Sequence, residues 1–127
     1  MRNSIRTTAA PGSRAAAIEK QRAHDRLQKL RAPLLPTPPH YIKRLRALVN
    51  VTPGTDGDSQ TERLLCALIC DGVTSHDARQ HLDIVHPAGR VHTLRKRGYL
   101  IDMTWVRQVT ACGKVHRFGR YVLMRHA

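Results

Sequence analysis

Between Pro87 and Met124 the apolar pattern changes period, and few folds accommodate that change. At about 100° per residue, Pro87, Val91, Leu94 and Gly98 share one face, the mark of a helix packed along one side. From Tyr99 to Val109, and again from Val115 to Met124, the pattern alternates with period two, and Ala111-Cys112-Gly113-Lys114 lies between the runs. A helix therefore runs directly into a β-hairpin. Pro87 suits the first helical position, where its missing N–H costs nothing. Gly98 suits the stop, after the basic turn Arg95-Lys96-Arg97.

Two shorter helical segments precede this one. Ser59-Gln60-Thr61-Glu62 has the form of a capping box, opening a helix that ends near Cys70 with Leu65, Leu68 and Ile69 expected to face a core. Asp71-Gly72 closes it. Thr74 or Ser75 then caps a second helix through about Leu82, with Ala78 and Leu82 inward. Three short helices followed by a hairpin is the order of a winged helix-turn-helix. The expected fold class is mainly α with a C-terminal β-hairpin, residues 59–127 forming the winged domain. Large side chains are scarce at 4% aromatic, so Trp105, Phe118 and Tyr121 are expected to seal the hairpin onto the helices, and Gly119 to mark a bulge.

Upstream, residues 1–13 read as a disordered basic tail and 14–58 as a basic, Pro-rich helical arm. Ser13 can cap a helix to about Ala32, with Ala16, Ala23, Leu27 and Leu30 as a thin apolar stripe. Pro33, Pro36, Pro38 and Pro39 enforce an extended linker, and a short helix over about 40–49 follows. The loop VTPGTDGD (51–58) closes the arm.

Charge divides along the same lines. Of a formal net charge of +13, residues 1–50 hold +9 and residues 87–127 hold +8, while residues 51–86 are net −4. An acidic block between two basic ones is expected if one face addresses a polyanion, and nucleic acid is the default polyanion. No apolar run reaches the ~20 residues of a membrane span, and the N-terminus has no apolar h-region. Three cysteines is an odd number for a disulfide framework. A cytoplasmic protein of a bacterial host, or of its nucleoid, is the expectation.

The third helix carries the chemistry. Opposite its apolar face stand Gly89, Thr93 and Lys96, flanked by Arg90, His92 and Arg97. Gly89 would let the backbone approach a major groove, and Arg90 and Lys96 would reach guanine or phosphate, so Gly89, Arg90, His92, Thr93 and Lys96 are the candidate base readers. Candidate phosphate and wing contacts are Ser75, His76, Arg97, Arg107, Lys114, His116, Arg117 and Arg120. Arm contacts would come from Arg14, Lys20, Arg22, Arg26, Lys29, Arg31, Lys43 and Arg44. Arg95 lies beside the buried face and reads as structural, pairing with an acid such as Asp77 or Asp71.

Residues from Ser59 to about Ile101, above all His86-Pro87-Ala88-Gly89-Arg90-Val91-His92-Thr93-Leu94-Arg95-Lys96-Arg97-Gly98-Tyr99, resemble the small helix-turn-helix domains of phage and prophage proteins. In that family an Arg-aliphatic-x-x-Leu-Arg-x-x-Gly-aromatic string closes the recognition helix and enters the wing. The resemblance implies a DNA-binding winged helix of mobile-element origin.

Other chemistries find little support. Cys66 and Cys70 stand i, i+4 near His76, His81, His86 and His92, yet no Cys-x-x-Cys or zinc spacing occurs, and both thiols are expected in a helix–helix core. No phosphate loop or nucleophile elbow is present, so neither an enzyme nor a cofactor is expected. The leading expectation is sequence-dependent binding of double-stranded DNA by a small regulator, with a homodimer available through the N-terminal helices. The rivals are a phage-encoded inhibitor or adaptor docking on a host protein, and an RNA- or ribosome-associated protein.

Overall fold

The computed structural model describes residues 13–126, so the expected basic tail lies outside it except for Ser13. The chain divides into two units, one ending at Ala32 and one beginning at Pro33. In the first, Ser13 caps α1 (Arg14–Leu30), its hydroxyl accepting from the Ala16 amide at 3.1 Å. None of α1 is buried, and Leu27 and Leu30 of the expected stripe are 52% and 70% exposed.

The second unit runs α2 (Pro39–Val51), α3 (Gly57–Cys70), β1 (Val73–Thr74), α4 (Ser75–His81), α5 (Pro87–Lys96), β2 (Tyr99–Val109) and β3 (Val115–His126). This is the mainly helical winged order with its hairpin. Thr74 caps α4 by accepting from the Asp77 amide, Pro87 opens α5, and Gly98 follows it at φ 97°. β1 is an addition to the expected elements. It pairs antiparallel with β3, Val73 opposite Tyr121 and Thr74 opposite Arg120, giving a three-stranded sheet in the order β1-β3-β2. Two residues are too few to show a period, which is why the sequence pattern misses this strand.

One aliphatic core joins the elements: Leu45 from α2, Leu64, Ala67 and Leu68 from α3, Ala78 and Leu82 with α4, Ile84 from the loop after it, Val91 and Leu94 from α5, and Ile101 from β2. Tyr121 packs against it from β3. Phe118 stacks on His76 of α4 with ring centroids 4.6 Å apart. These two aromatic residues thus seal the hairpin onto the helices.

Several local expectations need correction. Asp56, not Ser59, caps α3, accepting from the Ser59 amide at 3.3 Å and the Ser59 hydroxyl at 2.5 Å. Ser59 spends its hydroxyl on that acid, so the capping box does not form. Ile69 is 65% exposed, because the face turned to the core is Thr61-Leu64-Leu68 with Arg63 and Ala67. Cys66 is consequently half-buried and Cys70 exposed, neither in a helix–helix core. Gly119 sits in regular register opposite Trp105, and the register shift falls at Leu100/Ile101. The space Gly119 leaves is taken by Met103, whose sulfur lies 3.1 Å from where a Cβ would stand.

The expected arm over 14–58 is also not a single element, because its second half belongs to the winged unit. Leu34 forms a parallel bridge with Arg107, the Leu35 amide donating to the Arg107 carbonyl and the Arg107 amide to Pro33 O, each at 2.8 Å. A Pro-rich strand thereby covers the outer edge of β2, a place that tolerates missing donors. Thr37 donates to buried Asp77 at 3.2 Å, and Gln108 donates to both Thr37 and Asp77 at 3.1 Å while accepting from Thr74 at 2.7 Å. Leu45 is only 2% exposed. A helix with a fully buried leucine and a linker bonded into a buried polar network cannot act as a free arm.

Arg63 organises the loops around this core. It is 1% exposed, and its guanidinium donates to the carbonyls of Leu82 (2.6 Å), Asp83 (3.0 Å), Gly54 (2.9 Å) and Thr52. The Leu82 carbonyl is at the C-cap of α4, where a cation is favoured, and the Asp83 carbonyl follows it. The other two tie down the loop before α3.

Candidate nucleic-acid interface

α5 is held by the core through Pro87, Val91 and Leu94, which fixes the direction of everything else on it. His92 and Lys96 are exposed, while Gly89, Arg90 and Thr93 are half-buried on the same outward surface. Thr93 turns its hydroxyl back to the Gly89 carbonyl at 3.1 Å. Arg90 lays its guanidinium over Gly57 at the start of α3, its Nη1 2.6 Å from where a Cβ on that glycine would stand. Arg97 reaches Asp58 in the same turn of α3 at 3.7 Å. The two arginines, seven residues apart, thus line one flank of α5 beside the acidic opening of α3.

Arg95 is a structural residue, but no acid is its partner. Its Nη2 and Nε donate to the Ile101 carbonyl at 2.7 and 3.2 Å, beside the register shift of β2. A bulge interrupts the ladder, and the guanidinium supplies donors there. The link ties the end of the third helix to the base of the wing.

The wing itself turns at Thr110–Lys114, with Gly113 at φ 81° and the Thr110 amide donating to Lys114 O at 2.8 Å. Lys114, His116 and Arg117 are exposed near this tip, and His116 lies 6.4 Å from the Phe118 ring. Arg107 is exposed, with its backbone held by the Pro-rich strand. Ser75 and His76 open α4, His76 stacked on Phe118.

Besides Arg97, two further expected contacts, Arg120 of the wing and Arg44 of the arm, are engaged elsewhere. Arg120 bonds Asp71 at 3.4 Å and lies against Gly72, where a Cβ would come within 2.5 Å of its Cζ. Arg44 reaches the same carboxylate at 3.8 Å and lies over the Tyr41 ring at 5.6 Å. Both line a cleft of about 250 Å³ with Tyr41, whose hydroxyl donates to Gly72 O at 2.6 Å. Burial, with the charges of Asp77 and Asp71 adding to it, holds that phenol well above its ordinary range, so it stays a donor. Lys43 is exposed on α2, and Arg14, Lys20, Arg22, Arg26, Lys29 and Arg31 are exposed in the first unit.

One residue of this surface escapes the helical wheel. His86 precedes α5, yet its ring folds forward over Gly89, with Cδ2 2.6 Å and Nε2 3.3 Å from the position a Cβ would take. The i, i+3 spacing of His86 and Gly89 was the available signal. A wheel that begins at Pro87 excludes it.

Residues 59–126, more than half of the chain, match the model of a winged helix-turn-helix domain family. The chain belongs to that family of winged helix-turn-helix domains. No curated protein and no solved structure matches it. A winged helix-turn-helix domain points to DNA as the partner. No helix among the described residues is long and apolar enough to cross a membrane.

Proposed function

We propose that the chain is a sequence-dependent double-stranded DNA-binding protein, a small transcriptional regulator of the phage or prophage kind. α5 enters the major groove, where His92, Thr93 and Lys96 meet base edges and Arg90 and Arg97 flank them. The β2–β3 wing follows the neighbouring groove, with Lys114, His116 and Arg117 at phosphate. The basic first unit adds phosphate contacts. The observation that carries this reading is the exposed basic surface of α5, set on the family fold by Pro87, Val91 and Leu94. A palindromic site would require two copies. Leu45 of α2 is spent in the core, so exposed Leu27 and Leu30 of α1 are the available helix surface.

Selection from randomised duplexes, followed by affinity measurement, tests the reading. Lys96→Ala is expected to relax discrimination at one position, costing ~1–3 kcal/mol there. Lys114→Ala is expected to weaken all sequences alike and to lower the log–log salt slope by ~0.9. Failure to select or retain any duplex at low salt, with one stoichiometric protein captured from nuclease-treated host lysate, would promote the inhibitor reading instead.

A further inference from the structure

We infer that His86, held in place by Gly89, is a specificity-determining residue on the DNA-facing surface of α5. The inference rests on the DNA-binding reading and adds to it a base contact from outside the recognition helix proper. Gly89 lies opposite the buried Val91 and Leu94, so whatever covers Gly89 stands at the centre of the outward face. That covering group is the His86 imidazole, whose Cδ2, Nε2 and Cγ lie 2.6, 3.3 and 3.5 Å from the position of a Cβ on Gly89. A side chain at residue 89 is sterically incompatible with the ring in this place.

The chain fixes His86 from both sides. Its carbonyl accepts from the Gly89 and Arg90 amides at 3.1 and 3.3 Å, and Pro87 follows it as the first helical residue. His86 itself stands outside the helix as its N-cap, at φ −134° and ψ 78°. Its side chain makes no capping bond to α5. The ring lies on the helix surface over Gly89, and His86 is exposed there.

The N-terminal end of a recognition helix is where base edges are met. An imidazole carries two ring nitrogens that donate or accept according to tautomer, and so can recognise either a guanine acceptor or an amino group of adenine or cytosine. The glycine serves the histidine. It does not serve a close approach of the backbone to DNA.

A double-mutant cycle separates these two roles. The full chain, His86→Ala, Gly89→Ala and the doubly substituted protein are compared on the duplex selected by the wild type and on its single-base variants. His86→Ala is expected to relax discrimination about tenfold at one base pair, near the lower end of a specific base contact. Gly89→Ala should reproduce that loss by displacing the ring, and the double variant should be no worse than either alone. Alanine favours the helix, so thermal melting of Gly89→Ala should not fall. Unchanged discrimination in His86→Ala would overturn the proposal, as would additive losses in the double variant. A wild type that selects no duplex would remove the DNA-binding reading itself. Intact selection with an inert His86 would remove only this inference.

Discussion

At the residue scale, the most consequential side chain is a buried arginine that looks unremarkable in the sequence. Arg63 is one of two cations in the acidic block, yet it is 1% exposed and bonds four backbone carbonyls. Arg63→Met should lower unfolding free energy by roughly 3–5 kcal/mol, because buried acceptors of charge-assisted bonds are left unpaired. Urea denaturation would measure it, and a loss below ~1 kcal/mol would show that water replaces the guanidinium. The thiols behave oppositely. Cys70 and Cys112 are exposed, whereas burial, with the charge of Glu62 beside it, raises the Cys66 thiol above its ordinary range. An aromatic disulfide reagent at mildly alkaline pH should label Cys70 and Cys112 quickly and Cys66 slowly. Cys66→Ser should cost less than ~1 kcal/mol, since the hydroxyl keeps access to water. Nothing in the composition separates Arg63 from a surface arginine, because its partners are backbone atoms of other loops.

At the element scale, the start of α3 shows how a local motif is outbid by a neighbouring one. Asp56 accepts from both the amide and the hydroxyl of Ser59, which holds its carboxyl below the ordinary carboxylate range. A carboxyl lowered in the folded state stabilises above its unfolded pKa, and the contribution fades as pH falls through the folded value. Asp56→Ala should therefore lower the melting temperature at neutral pH, and Glu62→Ala should not. Asp56→Asn keeps a good cap and should flatten the acid-side decline. Scanning calorimetry from neutral to acid pH compares them, and an equal loss for Glu62→Ala would restore the capping box. The limits of α5 and the hairpin after it were legible because proline, glycine and alternation act locally. β1 and the strand at Leu34 were not, since each exists only by pairing with a strand distant in sequence.

At the scale of the whole molecule, the position of the cut is decided by burial. The second unit begins at Pro33, and its core and polar network draw on Thr37, Tyr41 and Leu45. A fragment 33–127 should fold cooperatively, whereas 59–127 should lose its sharp thermal transition. Heteronuclear NMR of both fragments would check this, and a well-dispersed spectrum from 59–127 would show that α2 is dispensable. Sequence alone determined the order of helices and hairpin, the basic surface of α5 and the separation of charge. Those properties follow from residue type and spacing along one chain segment. Only the tertiary structure decided which cations are free for a ligand. Arg44 and Arg120 are drawn to Asp71 and Arg95 to the Ile101 carbonyl, while Lys96, Lys114 and Arg117 stay exposed. A charge's availability depends on what lies within a few ångströms of it in space, and spacing along the chain does not encode that. The same holds for His86, which becomes part of the α5 surface because Gly89, three residues on, leaves room for its ring.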